Sequence, residues 1–286
     1  MTGKVAPPVT VIEAGSRSWR REQWRLSSIW RDCRASRDLA RRLVIRNLRA
    51  QYRQTLLGFA WALIPPLATT ALFVYLRSSQ VVAVESIEVP YPIFILTGLI
   101  LWYGFLDAVA APLKNITEAK PMLAKVHFPR EALIVAGVAE VLFNFTIRLL
   151  LWGAALVYFG FLPAATIPLA LIGVGSMLVL ATAIGVLLTP LGLLYQDIGR
   201  GVTIFGQFWL FLTPILYQPL EGNAAWWNVA NPVSPLLITT RHWMVGGGDP
   251  NFLAFAVVSG IAALALIGAL LLYRLSMPIV IERMSA

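Results

Sequence analysis

The sequence predicts an all-α integral membrane protein with six transmembrane helices, preceded by amphipathic interfacial helices and carrying a re-entrant outer segment between spans five and six. Three observations carry that expectation. The chain is 58% hydrophobic and only 13% charged, too apolar for a soluble core to absorb. Thirteen of its Lys and Arg residues fall within the first 53 positions. A charge-free run from Gln54 to Leu76 follows at once. Crossing about 30 Å of hydrocarbon takes roughly 20 apolar residues, so 286 residues accommodate about six spans and a polar head.

The division expected is a cytoplasmic tail with basic interface helices at 1–54, a six-span domain at 55–275 and a cytoplasmic C-terminal tail at 276–286. Residues 1–16 show no periodicity. From Trp19 to Trp30 the apolar residues Trp19, Leu26, Ile29 and Trp30 share one helical face, the pattern of a helix lying in the interface. Between Asp38 and Gln54, Arg42, Arg46, Arg49 and Arg53 form one stripe at spacings of four, three and four, with Val44, Leu48 and Tyr52 facing away. That stripe suits both a solvated basic face beside anionic lipid and a docking surface for a cytosolic partner.

Apolar runs place spans at about 56–76, 91–111, 132–159, 167–191, 201–218 and 252–273. Pro65 and Pro66 predict a kink in the first, with neighbouring helices satisfying the freed carbonyls. Gly160, Pro163 and Pro168 divide the long charge-free stretch between Arg148 and Asp197 into two helices. The first apolar run begins too far from the start for a cleavable signal, so insertion by an uncleaved helix is expected.

With the amino terminus inside, twenty Lys and Arg lie in inner segments and two, Arg77 and Arg241, in outer ones. That asymmetry predicts cytoplasmic termini. The formal charge of +9 therefore points to anionic membrane lipid and not to nucleic acid, because most of the cations precede the first span.

Catalytic signatures are missing. His127 and His242 fall on opposite sides of the membrane in this topology and cannot share a metal, so no metal site is expected. There is no Gly-x-x-x-x-Gly-Lys-Ser/Thr loop, so any ATP-driven step needs a nucleotide site on another chain. The single cysteine, Cys33, allows no intrachain disulfide.

Four segments carry other chemistry. The inner loop from Lys114 to Glu131 interleaves Ile116, Met122, Leu123, Val126 and Phe128 with Lys114, Glu118, Lys120 and Lys125. It is either a surface connector or a short coupling element inserted into a cytosolic motor. In span three, Glu140, Asn144 and Arg148 recur at steps of four. Ionisable groups in hydrocarbon cost roughly 2.5–3.5 kcal/mol each on insertion scales, so this face meets protein or water. A polar seam between helices and a substrate path are both open, and Glu140 and Arg148 are too far apart to touch directly. Span five is dense in rings, Phe205, Phe208, Trp209 and Phe211, which fill a core or meet lipid; their flat faces also suit the C–H faces of sugars. The segment Tyr217–Asp249, with Trp226, Trp227, Asn231 and Arg241, re-enters or lies along the outer interface.

Several strings resemble the permease subunits of bacterial ABC transporters that export O-antigen, capsule and teichoic acid. They are residues 49–66 (RAQYRQTLLGFAWALIPP), 125–131 (KVHFPRE), 194–199 (LYQDIG) and 211–217 (FLTPILY), followed by Asn231, Pro232 and Arg241. Similarity spans about 38–275; Gln196 stands where the family often has Arg, and the head before Asp38 is atypical. The resemblance implies a homodimer of six-span permeases docked on two copies of a cytosolic ATPase that binds ATP and Mg, with no cofactor in this chain. Its cargo would be a lipid-linked polysaccharide passing between the permeases. It further implies coupling contacts at Lys114, Glu118, Lys120, Lys125, His127 and Arg130, a pathway or seam including Glu140, Asn144, Arg148, Phe205, Phe208 and Trp209, and an outer gate of Tyr217, Trp226, Trp227, Asn231 and Arg241. A drug- or lipid-exporting permease is the first rival and a membrane-embedded glycosyltransferase the second, although the latter needs carboxylates clustered at one face, whereas Asp107, Glu140 and Asp197 fall in separate elements.

Overall fold

The computed structural model describes residues 37–53, 56–80, 89–120, 130–162, 165–219, 226–246 and 250–285. The sequence expectations for Trp19–Trp30, for Lys125 and His127 and for the bracketed segment between Pro121 and Pro129 lie outside them. Helix α1 spans Arg37–Arg53. A 3-10 turn follows at Gly58–Ala62, then α2 at Ile64–Ser78. The long helices are α3 (Tyr91–Glu118), α4 (Glu131–Tyr158), α5 (Ile167–Leu194) and α9 (Phe252–Ser285). Between α5 and α9 come α6 (Asp197–Leu212), α7 (Trp227–Ala230) and α8 (Val233–Val245).

Among the described residues four helices, α3, α4, α5 and α9, are long and apolar enough to cross a membrane. Each of the first three has 28 residues, about 42 Å of helix, which exceeds the hydrocarbon thickness. The other two expected spans are shorter than the apolar runs suggest. α2 has 15 residues and α6 has 16, about 22–24 Å each. Their truncation has a local cause. Pro65 and Pro66 open α2 instead of kinking it, because first-turn amides have no intrahelical acceptor and a proline there loses nothing. At the other site, Pro214 disfavours helical backbone at Thr213, which is extended at φ −102°, ψ 138°, and α6 stops before it.

α3 is the central element. Of its most apolar stretch 78% is buried, against 17% for α9, which lies at the periphery. α5 approaches α3 closely because Gly185 faces the Val109 carbonyl and the Pro112 ring, where a Cβ has no room. On its opposite flank α5 meets α8, and Gly173 accommodates Thr240 in the same way. The largest core cluster joins α3, α4, α5 and α8 around Trp102, Phe105, Leu99 and Leu236. A smaller one joins Ala40 and Leu43 of α1 to Leu133, Leu193, Tyr273 and Met277.

The bundle has two distinct ends. The head end holds α1, the last turn of α3, the first turn of α4 and the last turn of α5. It is tied by the Arg274–Glu131 ion pair (2.7 Å, both side chains largely buried) and by Lys120 Nζ donating to the Leu193 carbonyl (3.2 Å). The far end holds the start of α3, the end of α6, α8 and the Thr166 hydroxyl, which donates to the Trp243 carbonyl.

Candidate functional site

At the far end, a broken helix creates the site. The last carbonyls of α6 have no intrahelical donors, and Pro214 supplies none, so the following segment must satisfy them. The Thr213 hydroxyl donates to Trp209 O (2.9 Å), the Tyr217 hydroxyl to Phe211 O (3.2 Å), and the Trp227 indole to Leu212 O (2.9 Å). Arg241 Nη1 then takes Pro214 O (3.0 Å) and Ile215 O (3.3 Å). Four of the five residues expected at the outer gate thus converge on the end of one helix: Tyr217, Trp227, Asn231 and Arg241. The fifth, Trp226, is exposed and stacks edge-on against Trp227 at 5.3 Å.

Asn231 is the joint. Its Oδ1 accepts from Trp209 Nε1 (3.1 Å) and from the Val233 amide (3.2 Å), the latter opening α8 as an Asx turn. Its Nδ2 donates to Thr213 Oγ1 (2.9 Å) and Leu212 O (3.4 Å). An amide side chain has two acceptor and two donor positions, and all four are used. Arg241 was expected in an outer segment but is 4% exposed, on a helix buried along its length. Among the described residues, backbone carbonyls and the Phe94 ring, 3.8 Å from its guanidinium carbon, surround it, so dipoles and a π face meet the charge.

α6 itself is two-sided. Trp209 turns inward, edge-on to Trp102 (5.9 Å) and Phe105 (5.7 Å). Phe205, Phe208 and Phe211 are more than half exposed and form a continuous aromatic face.

The polar residues of α4 resolve into two clusters. Glu140, buried, accepts at Oε1 from Asn47 Nδ2 of α1 (2.7 Å) and Asn115 Nδ2 of α3 (3.3 Å), so it pins α1 to the bundle. Arg148 pairs with Asp107 of α3 at 2.7 Å. Its Nε also donates to the Ala62 carbonyl (3.3 Å), whose helical acceptance would fall to Pro65 or Pro66, neither of which has an N–H. The sequence required some neighbour to satisfy carbonyls freed by those prolines, and Arg148 does so. Asn144 lies between the two clusters and is partly buried.

At the head end, Arg42, Arg46 and Arg49 are exposed, as the stripe predicts; Arg53 closes the helix. The buried face is displaced from the expected one: Ala40 and Leu43 face the core, with Asn47 partly buried one turn on, while Val44 and Leu48 are only partly buried. The choice of a polar residue at Asn47 reflects the carboxylate it meets. Lys114 and Glu118, expected in a loop, occupy the exposed last turns of α3, and Arg130 is the residue before α4. Sequence reasoning missed Asn47, Asn115 and Thr213, and placed Asp107 outside any group. Asn115 and Asp107 carried a signal, being polar positions inside an apolar run that demand a partner.

Helices of this length and composition make the chain a multi-pass membrane protein. No protein-family model matches it. An O-antigen export system permease protein, RfbA, from Myxococcus xanthus is 30% identical over 181 residues, which cover 63% of this chain and 68% of that protein. Two O-antigen export system permease proteins of the same name from Klebsiella pneumoniae are each 22% identical over 217 residues, covering 73% of this chain and 81% of theirs. The chain belongs to the family of O-antigen export permeases.

Proposed function

We propose that this chain is the membrane-spanning subunit of an ABC exporter that moves a lipid-linked polysaccharide across the bacterial cytoplasmic membrane. ATP is hydrolysed, with Mg, on a separate cytosolic subunit. The relation to the O-antigen export permeases carries this reading, and the exposed aromatic face of α6 supports it chemically: flat rings hold the C–H faces of sugars weakly enough for a polymer to slide.

In this reading the chain crosses six times. α2 with the turn before it, and α6 with the extended segment after it, act as the short first and fifth crossings. The head end, with both termini, is cytoplasmic, and α8 is a re-entrant helix at the outer face. Two copies associate and dock two ATPase subunits through Arg42, Arg46 and Arg49 and through the segment beginning at Lys114 and Glu118. Anionic lipid contacts the remaining basic surface.

The test is co-purification with a Walker-motif ATPase, followed by reconstitution. Hydrolysis should depend on this chain and be accompanied by movement of a lipid-linked glycan into the vesicle lumen. An ATPase indifferent to the chain would overturn the reading.

A further inference from the structure

The two ends of the segment between α3 and α4 are fastened to two different helices. At its start, Lys120 Nζ donates to Leu193 O in the last turn of α5 (3.2 Å). At its finish, Glu131, the first residue of α4, pairs with Arg274 of α9 at 2.7 Å, with both side chains largely buried. Among the described residues α5 and α9 are in turn the most extensively packed pair of helices, with Ala262, Ala269, Tyr273 and Met277 of α9 turned inward and fully buried. α4 is not among the principal neighbours of α9, so the ion pair reaches across where no extended helix packing does.

At the far end the same two helices grip one residue. Trp243 of α8 accepts at its carbonyl from the hydroxyl of Thr166, the residue before α5 (3.2 Å). Its ring meets Phe255 of α9 edge-on at 5.0 Å and stacks on Phe252 at 6.2 Å. Two residues earlier on α8, Arg241 holds the Pro214 and Ile215 carbonyls. From Phe255 to Arg274 α9 runs about 28 Å, and from Thr166 to Leu193 α5 runs about 40 Å. α9 is the stiffer of the two. Its internal proline, Pro278, lies beyond Arg274, whereas Pro190 interrupts the hydrogen bonding of α5 just short of Leu193.

We propose that α5 and α9 together form a tie rod that carries displacement of the α3–α4 segment to α8, with Arg274 as the positioning residue at the head end and Trp243 at the far end. This rests on the reading of the chain as a permease driven by a separate ATPase, since the ATPase is what displaces the segment. A largely buried ion pair is not readily exchanged for water, and parting it leaves two charges without partners, so movement of Glu131 draws Arg274 with it. A packed helix transmits that movement along its axis, because compressing or stretching it breaks its own hydrogen bonds. Trp243, held on one side by Thr166 and on the other by two rings, follows both helices. Arg241 and the carbonyls it holds then shift with α8.

A thiol at the far end reads the rod. In the full-length permease assembled with its ATPase, Cys33→Ser with Val229→Cys leaves one cysteine, on the exposed side of α7 next to α8. Trapping the ATPase with ATP and vanadate should change the rate at which a membrane-impermeant maleimide labels it from the far side by about fivefold, the low end of coupling between distant sites. Arg274→Gln and Trp243→Leu should each abolish that response and depress glycan export, while complex assembly and ATP hydrolysis persist. Combining the two should depress export no further than either alone, whereas their effects on the unfolding midpoint should add, because sites this far apart are independent in stability. A response that survives both single substitutions, or export losses that multiply in the double variant, would overturn the rod. Should Arg274→Gln fail to assemble, Trp243→Leu decides by itself, and a parental response in it overturns the rod. A parent whose ATP hydrolysis is indifferent to the permease would instead overturn the function on which the rod rests.

Discussion

Trp209 and Asn231 are joined by a hydrogen bond of 3.1 Å from the indole nitrogen to the amide oxygen. The bond links the ring-bearing helix α6 to the start of α8 across the helix break imposed by Pro214. Because the same amide also holds Leu212 O, Thr213 Oγ1 and the Val233 N–H, the end of α6 and the start of α8 move together. Any opening of the far end therefore displaces the aromatic face of α6 as well.

Replacing Asn231 with Leu removes both donors and both acceptors and leaves at least the Trp209 indole N–H without its partner. An unsatisfied buried donor costs about 1–3 kcal/mol, so the purified permease should unfold at lower temperature and Trp emission should shift. Asn231→Asp keeps the acceptor for Trp209 but not the two donors, and should lie between Leu and the parent. Thermal unfolding followed by tryptophan fluorescence decides it; three identical curves would dissolve the joint.

The Asp107–Arg148 pair gives a double-substitution cycle. Asp107→Asn alone strands a buried guanidinium, at a cost of about 3–5 kcal/mol in a fully buried pair and toward the lower end here because Asp107 is partly open. Asp107→Asn with Arg148→Gln should recover much of that loss. Folded yield and unfolding midpoint are the measurements, and a double variant no better than the single one would show that the charges are not coupled.

Glu140 should matter as an acceptor more than as a charge. Glu140→Gln retains an oxygen for Asn47 and Asn115, whereas Glu140→Ala removes the acceptor they share and loosens α1. Limited trypsin digestion reads this directly, since Arg42, Arg46 and Arg49 become cleavable when α1 lifts. Cleavage should quicken severalfold in Glu140→Ala and stay near the parental rate in Glu140→Gln.

Two sets of basic residues, both expected to contact the ATPase, should separate. Arg42, Arg46 and Arg49 point outward, so reversing all three to Glu should weaken ATPase capture while leaving folded yield intact. Lys120 instead holds the last turn of α5 through Leu193 O, and Lys120→Glu should cost about 1 kcal/mol of stability in the permease alone. A pull-down and an unfolding curve for each variant suffice; ATPase capture by the triple reversal at parental level would remove the docking role.

Composition and order alone determined that this chain is helical, membrane-embedded and basic at one end, because hydropathy and charge asymmetry act locally along the chain and need no partner to be visible. The sequence also required that Arg148 meet protein or water, since hydrocarbon disfavours a charge. Which protein group it met was decided by tertiary packing: Asp107 lies 41 residues earlier on another helix, and only the docking of α3 against α4 brings the charges together. The same holds for Asn47 on Glu140 and for Asn231 on the end of α6. Prolines announce where backbone groups will be orphaned, but the donor that reaches an orphaned carbonyl is set by the register of neighbouring helices, and register is a property of how side chains interlock in three dimensions.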